Sequence, residues 1–139
     1  PKEYYTLPLG KAALLKEGDD VSIVTYGAGV HWALEALEKQ TEIKADLVDL
    51  RTLQPLDIEA VYNSVRKTGK LLVLQEDTLF GGVASDIAAL VGEHCFEFLD
   101  APVKRIGSLE TPVPFAKSLE KHFLPKERLV KALNELLKY

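Results

Sequence analysis

The chain has 139 residues, 47% of them hydrophobic and 27% charged, and a formal net charge of −4 at pH 7. These values describe one globular domain that can bury a core without disulfides or metal. The 17 basic residues are mixed with the 21 acidic ones, so no basic stripe indicates a nucleic-acid partner. No apolar run approaches the ~20 residues that span a bilayer, which argues against a membrane partner.

The chain opens at Pro1 and contains no methionine. No leader of the signal-peptide type opens it either, and we expect that it was cut from a longer polypeptide. Its single cysteine, Cys95, cannot form an internal disulfide. A reducing compartment and a half-buried structural thiol are therefore expected.

Strand and helix patterns alternate along the chain. Residues 1–10 are polar, aromatic and proline-punctuated, which predicts an extended lead-in, followed by one domain over residues 11–139. Short apolar or β-branched runs predict strands within Lys11–Leu15, Val21–Tyr26, Ile43–Leu50, Leu71–Leu74 and Val103–Ile106. The fourth run has no polar break, as expected of a strand that is buried on both faces.

Apolar residues at helical spacing follow three of these strands. They predict helices whose inner faces carry Val30, Ala33, Leu34 and Leu37; Ile58, Val61, Tyr62 and Val65; and Val83, Ile87, Leu90 and Val91. Asp57 is expected to cap the second helix and Gly69 to end it. An amphipathic helix is predicted over Pro125–Tyr139, after a long functional or interfacial loop from Gly107 to Pro125. The alternation predicts an α/β domain with a largely parallel sheet and helices on both faces.

A glycine turn, Gly27-Ala28-Gly29, joins the second strand to a helix, as in dinucleotide-binding proteins. Trp32 stands where the third glycine of that motif would fall. No acidic residue has a clear ribose-binding role, although Asp49 ends the next strand. A tight β-to-α turn is the preferred interpretation, and dinucleotide binding is the alternative.

A second glycine pair, Gly81-Gly82, precedes the third helix. It allows either an anion-binding nest or close packing against another subunit, and packing is preferred. Glu76 and Asp77 follow the buried strand at the sheet edge where ligands gather, but no histidine near them in sequence offers a proton-transfer partner. Metal-ligand spacing and nucleophile or phosphate-loop motifs are missing. No catalytic, cofactor-binding or metal-binding residue is therefore assigned.

Five segments in register carry a family resemblance. They are Leu7–Ala12, Asp49–Asp57, Lys67–Leu72, Leu99–Pro102 and Thr111–Phe115. Together they resemble, over essentially the whole chain, the transketolase-C-like domain that ends the β part of thiamine-diphosphate-dependent 2-oxo acid dehydrogenases. Three further segments look most like the branched-chain 2-oxoisovalerate type, with pyruvate dehydrogenase as the alternative: Gly29–His31, Phe80–Ser85 and Lys138-Tyr139.

The resemblance implies a three-layer α/β/α fold with a five-stranded, mostly parallel mixed sheet whose first strand is antiparallel. It implies a parent oxidoreductase that decarboxylates a 2-oxo acid and acylates a lipoyl group. Thiamine diphosphate and Mg²⁺ would bind between the α part and the pyrimidine-binding domain of the β part, which this chain lacks. We therefore expect the chain to bind no cofactor and to be inactive alone. A transketolase or deoxyxylulose-phosphate synthase domain shares the fold, but Leu99–Pro102 and Thr111–Pro114 argue against it.

The resemblance also implies an assembly and docking role in the cytoplasm of a bacterium or the mitochondrial matrix of a eukaryote. The expected partners are the α part, a second β part and the peripheral subunit-binding domain of the dihydrolipoyl acyltransferase core. Asp100 and Tyr139 are the candidate docking residues. The candidate subunit-interface residues are His31, Trp32, Gly81, Gly82, Pro112 and Pro114.

Two hypotheses make different predictions about the surface. An assembly domain is expected to expose more apolar surface than a monomer normally tolerates, near Trp32, the Gly81-Gly82 turn or the long loop. The rival is a free-standing nucleotide- or anion-binding α/β module, which would take its ligand between Gly27 and Val30 or at Gly82.

Overall fold

The computed structural model describes residues 3–139. Its strands are β1 (Ala13–Lys16), β2 (Val21–Thr25), β3 (Ala45–Asp49), β4 (Leu71–Thr78) and β5 (Lys104–Ser108). They form a five-stranded sheet in the order β1-β3-β2-β4-β5. β1 pairs antiparallel with β3, and the other neighbouring strands are parallel. The predicted mixed sheet and its antiparallel first strand are confirmed.

The helices are α1 (Ala28–Lys39), α2 (Ile58–Thr68), α3 (Val83–His94), α4 (Lys117–Phe123) and α5 (Leu129–Leu136). One core lies between the sheet and α1 with α5, and a second core lies between the sheet and α2 with α3. Successive residues of β4 alternate between them, since Leu72 and Leu74 join the first core while Leu71 and Val73 join the second. The three-layer α/β/α architecture is thus confirmed.

The stretch from Gly107 to Pro125 is not a single loop, contrary to the sequence prediction. β5 continues to Ser108, and α4 occupies Lys117–Phe123. The described residues of α4 bury one side chain, Phe123, so this short helix has no apolar stripe to announce it. The last helix also begins later than predicted, because Lys126–Arg128 form a 3₁₀ turn before α5. The irregular part shrinks to residues 109–116, which contain Pro112 and Pro114.

Asp57 stands just before α2, but its side chain does not cap that helix. Its Oδ2 instead accepts the backbone N–H of Ala12 at 3.1 Å and lies 3.9 Å from Nζ of Lys11. The carboxylate therefore fastens the approach to β1 onto the start of α2. At the other end of α2 the prediction is confirmed: Gly69 has φ 69° and donates its N–H to the Val65 carbonyl at 2.8 Å.

A buried polar network joins α2 to the sheet. The Ser22 hydroxyl lies 2.6 Å from that of Ser64 and 2.7 Å from that of Thr68. Ser64 donates to Asp46 Oδ2 at 2.8 Å, and the Lys67 ammonium donates to Asp46 Oδ1 at 2.5 Å. Asp46 is 1% exposed, so these bonds compensate for removing its charge from water. Among the described residues, no helix is both long and apolar enough to cross a membrane.

Candidate functional site

The carboxyl ends of β2, β4 and β5 meet at one edge of the sheet, because these strands are parallel neighbours. All six sequence-predicted interface residues follow those ends: His31 and Trp32 after β2, Gly81 and Gly82 after β4, and Pro112 and Pro114 after β5. The fold thus gathers them at one end of the molecule. We call the central part of this region the carboxyl-edge surface, made of Tyr26, Glu76, Asp77, Phe80, Val113 and Glu120.

The loops around the carboxyl-edge surface are tied together by Glu110. Its Oε1 accepts the backbone N–H groups of Leu79 at 2.9 Å and of Phe80 at 3.0 Å. The Ser108 hydroxyl also donates to the carbonyl of Glu76. These bonds fix the loop after β4 against the loop after β5. They hold the backbone of Phe80 in place, while its side chain is exposed.

Large apolar side chains are exposed in these two loops. Phe80 is 90% exposed, Val113 is 66% exposed and Phe115 is fully exposed. An apolar surface was expected near the Gly81-Gly82 turn or the long loop, and these residues flank both. Trp32, by contrast, is half-buried and packs against the core beneath α1. His31 beside it is exposed.

The side chain of Gln75 occupies the inner side of the Gly81-Gly82 turn. Gln75, with 0% exposure, accepts the Ala84 N–H through Oε1 at 2.7 Å and donates through Nε2 to the carbonyl of Thr78. A Cβ on Gly82 would lie 2.0 Å from that Nε2. Gln75 thereby occupies the Ala84 N–H, one of the backbone donors in the first turn of α3 that would otherwise be available to an anion. Gly81 is exposed with φ 68°, a backbone conformation that favours glycine.

The Gly27-Ala28-Gly29 turn has the geometry of a tight strand-to-helix connection. Gly27 has φ 58°, and a Cβ on Gly29 would lie 2.0 Å from the Thr25 hydroxyl oxygen. That oxygen is buried and has no hydrogen-bond partner among the described residues. The glycines are therefore needed for backbone conformation and for close packing of α1 on β2. This is the interpretation preferred from the sequence.

A cavity of about 410 Å³ opens within the carboxyl-edge surface. The residues that line it include Glu76, Asp77 and Glu120, together with Tyr26 and Val113. Glu76 and Asp77 do not follow β4, as the sequence suggested, but form its last residues before Thr78. Burial, followed by the charges of Asp77 and Glu76, raises the pKa of Tyr26, so its phenol stays neutral at physiological pH.

The two candidate docking residues lie at the opposite edge of the sheet. Asp100 is exposed, and its backbone N–H donates to the carbonyl of Gly69 at 2.8 Å, just before β4. Tyr139 is 71% exposed and lines a cavity of about 530 Å³ with Pro102 and Lys104, at the start of β5. The structure therefore separates the candidate docking residues from the candidate interface residues.

No group of three or more His, Cys, Asp and Glu side chains in residues 3–139 is arranged to hold a metal ion. Cys95 is fully buried, and burial raises the pKa of its thiol. After β3, Asp49 accepts the backbone N–H of Arg51 at 3.0 Å, and neither side chain joins an ion pair among the described residues.

Comparison with known proteins identifies the class. The model of the transketolase C-terminal domain family matches residues 10–130, and the chain belongs to this family. The β subunit of 2-oxoisovalerate dehydrogenase from Bacillus subtilis is 43% identical over 100% of the chain and 44% of its own length. The pyruvate dehydrogenase E1 β subunit from Rickettsia bellii is 45% identical over 87% of the chain and 38% of its own length. The predicted resemblance is confirmed.

Other relatives agree with this assignment. The β subunit of the acetoin:2,6-dichlorophenolindophenol oxidoreductase of Bacillus subtilis is 44% identical over 99% of the chain and 41% of its own length. A solved split-gene transketolase, described as an inactive β4 tetramer, superposes with a TM-score of 0.79 at 31% identity over 96% of this chain and 43% of that one. The chain thus spans about two fifths of the length of the relatives that it matches.

Proposed function

We propose that the chain is the C-terminal assembly and docking domain of the β part of a thiamine-diphosphate-dependent 2-oxo acid dehydrogenase. Relatives named for 2-oxoisovalerate, pyruvate and acetoin match it over most of its length. The observation that carries the proposal is the exposure of Phe80, Val113 and Phe115 around one edge of the sheet. Exposed apolar surface of this kind favours a protein partner over water.

The parent enzyme is proposed to act on a branched-chain 2-oxo acid, with pyruvate as the alternative substrate. Among relatives that match the whole chain, the 2-oxoisovalerate subunit is 43% identical and two pyruvate subunits are 37% identical, which supports this order. The segment that selects the substrate belongs, in this proposal, to other parts of the enzyme. The parent enzyme would be located in the cytoplasm of a bacterium or in the mitochondrial matrix of a eukaryote.

Thiamine diphosphate and Mg²⁺ are assigned to the parent enzyme only. The described residues do not fit either group, because they form no metal-ligating cluster and Gln75 takes a first-turn donor at the start of α3. No step of the thiamine reaction is therefore derived from this chain. The α part and the pyrimidine-binding domain of the β part would hold the cofactor.

In this proposal, different partners bind at two separate surfaces of the domain. The α part and a second β part would contact the carboxyl end of the sheet, where the interface candidates lie: His31, Trp32, Gly81, Gly82, Pro112 and Pro114. The peripheral subunit-binding domain of the acyltransferase would dock at the other edge, on Asp100 and Tyr139. Both residues are exposed there, as docking requires. The Asp100 carboxylate would meet a basic partner through charge-assisted hydrogen bonds.

The decisive experiment compares the isolated chain with the full-length β part combined with its α part. Oxidative decarboxylation of 2-oxoisovalerate and pyruvate is measured for both, together with ketol transfer as the transketolase reaction. We expect no turnover by the chain alone and 2-oxo acid turnover by the assembled enzyme. Turnover by the isolated chain, or ketol transfer by the assembled enzyme, would contradict the proposal.

A further inference from the structure

The cavity in the carboxyl-edge surface carries negative charge that the chain does not neutralise. Glu76, Asp77 and Glu120 line it, and no lysine, arginine or histidine of the described residues does. None of the ion pairs found in residues 3–139 involves these three carboxylates. Asp77 Oδ1 accepts the neighbouring Thr78 N–H at 2.7 Å. Like charges gathered in one cavity repel each other unless a cation joins them.

The rest of the cavity wall suits an alkyl stem. Val113 and Phe123 line it beside the Tyr26 ring. The neutral phenol of Tyr26 adds a hydrogen-bonding hydroxyl and an aromatic face, which attracts cations. Lysine and arginine place a charged head on an apolar stem, so their shape and charge match this combination of carboxylates and apolar wall. Phe80, whose backbone N–H is held by Glu110, adds an exposed apolar side chain in the loop after β4.

A second copy of this chain fits the same surface poorly. In a two-fold interface, the same patch on both copies would face itself. Glu76, Asp77 and Glu120 would then oppose their own equivalents, and like-charge juxtaposition at an interface costs several kcal/mol. A metal ion is not indicated either, since the described residues contain no metal-ligating group. Charge complementarity therefore selects a different polypeptide segment.

We propose that the carboxyl-edge surface receives a basic, apolar segment of a different polypeptide. A lysine or arginine of that segment enters the cavity between Glu76, Asp77 and Glu120, and its apolar residues cover Val113 and Phe80. The proposal rests on the assembly function proposed above and adds the chemistry of the partner at this edge.

The test uses the 139-residue chain and a synthetic probe. The probe is a fluorescent amphipathic peptide of leucine and lysine, about 14 residues long at helical spacing; a leucine–glutamate peptide is its control. We expect the lysine peptide to bind, more weakly as salt rises, and the glutamate peptide not to bind. The triple variant Glu76→Gln, Asp77→Asn, Glu120→Gln should raise the Kd about tenfold or more.

A matched variant separates local contact from total charge. Glu38→Gln, Glu93→Gln, Glu97→Gln removes three exposed carboxylates that lie away from this surface and form no ion pair among the described residues. It should leave the Kd within about twofold. Equal loss of binding in both triple variants, or absence of binding by the lysine peptide, would overturn the inference.

A parallel measurement keeps the two proposals apart. Copurification of the full-length β part with its α part reports the assembly function, while peptide binding reports the partner chemistry. Assembly that survives in a chain with Phe80 and Phe115 both replaced by serine would overturn the proposed function even if the peptide binds. Sedimentation of the wild-type chain and of the triple variant Glu76→Gln, Asp77→Asn, Glu120→Gln is the last check. A dimer formed by the variant alone supports the view that these carboxylates repel a second copy. A wild-type dimer that forms through this surface overturns that view.

Discussion

Gly82 immediately precedes α3 and Gly92 lies within it, and the two glycines have very different surroundings. A Cβ on Gly82 would meet Gln75 Nε2 at 2.0 Å and the Thr78 carbonyl oxygen at 2.7 Å, whereas a Cβ on Gly92 meets nothing within 4 Å. We expect Gly82→Ala to lower the free energy of unfolding by about 1–3 kcal/mol through overcrowding. Gly92→Ala should raise it by about 0.5–1 kcal/mol, because alanine favours the helix. Urea unfolding of both variants checks this, and a Gly82→Ala protein as stable as wild type would contradict the contact described.

Asp46 concentrates the polar bonds between α2 and the sheet. Asp46→Ala leaves the Ser64 hydroxyl and the Lys67 ammonium without their acceptor. We expect the free energy of unfolding to fall by about 2–4 kcal/mol, because two buried or partly buried donors lose their acceptor. The loss is not larger because Lys67 is partly exposed and its ammonium can be hydrated. Glu93→Ala, at an exposed position, should change it by less than about 0.5 kcal/mol. Similar losses in both variants would show that the network contributes little.

Residue roles that depend on local backbone were accessible from sequence. Gly69 was predicted as the end of α2, and its positive φ agrees. Roles that depend on distant contacts were not accessible. Asp57 has a capping residue's position, yet its carboxylate binds Ala12, which lies 45 residues away. The sequence around Gln75, at the polar end of β4, does not predict its role, although its side chain organises the turn at Gly82.

At the scale of elements, Glu35 connects α1 to the 3₁₀ turn that precedes α5. The Lys126 ammonium at 2.6 Å, followed by Lys39 at 2.8 Å, lowers the pKa of Glu35 to about 2. A lowered folded-state pKa gives stability that is present above the unfolded value of 4.5 and is lost as pH falls towards about 2. Wild type should therefore lose more Tm than Glu35→Gln between about pH 6 and about pH 3, and salt should narrow the difference. Parallel pH profiles would argue that these ion pairs do not contribute.

The last helix closes one of the two cores. Leu133 in α5 has 0% exposure and contacts the core beneath α1. Leu133→Ala should cost about 2–5 kcal/mol of unfolding free energy, because a cavity forms where the side chain was. Leu119→Ala, on α4 where the leucine is 59% exposed, should cost less than about 0.5 kcal/mol. Thermal denaturation of the two variants measures the difference, and equal shifts in Tm would contradict this packing.

Elements with strong periodicity were predicted well and those without it were not. The LLVL run located β4, but the strand extends through polar residues to Thr78, which pairs with Ser108 of β5. Only pairing with a neighbouring strand can hold such a polar extension, and hydrophobic pattern does not report pairing. The same reason hid α4, whose described residues include a single buried side chain, Phe123.

At the scale of the whole molecule, alternation of strands and helices was enough to predict three layers. The resemblance supplied the antiparallel first strand. The grouping of candidate residues at two opposite edges was not predictable from sequence, because it depends on which strand ends meet. Asp100 lies just before β5, and the Gly81-Gly82 turn follows β4. These positions lie at opposite ends of parallel strands, so the proposed docking and subunit contacts fall on separate surfaces of one small domain.

The proposed assembly role leads to a whole-molecule prediction with a matched control. Phe80 and Phe115 are exposed in the loops after β4 and β5, and Phe96 is 77% exposed beyond the far end of α3. If the α part covers the first two, burying each phenylalanine contributes about 1.5–3 kcal/mol to association. Replacing either by serine should then raise the Kd between full-length β part and α part by about tenfold to a hundredfold.

Phe96→Ser changes the same chemistry at a surface outside the proposed contact, so the Kd should stay within about twofold of wild type. Sedimentation velocity of each β variant mixed with the α part measures all three constants. Circular dichroism of the isolated variants controls for folding, which should not change because exposed side chains contribute little to the core. An equal effect of all three substitutions would place the subunit contact elsewhere on the domain. A large effect of Phe96→Ser alone would place the subunit contact at the opposite edge of the sheet, where Asp100 lies.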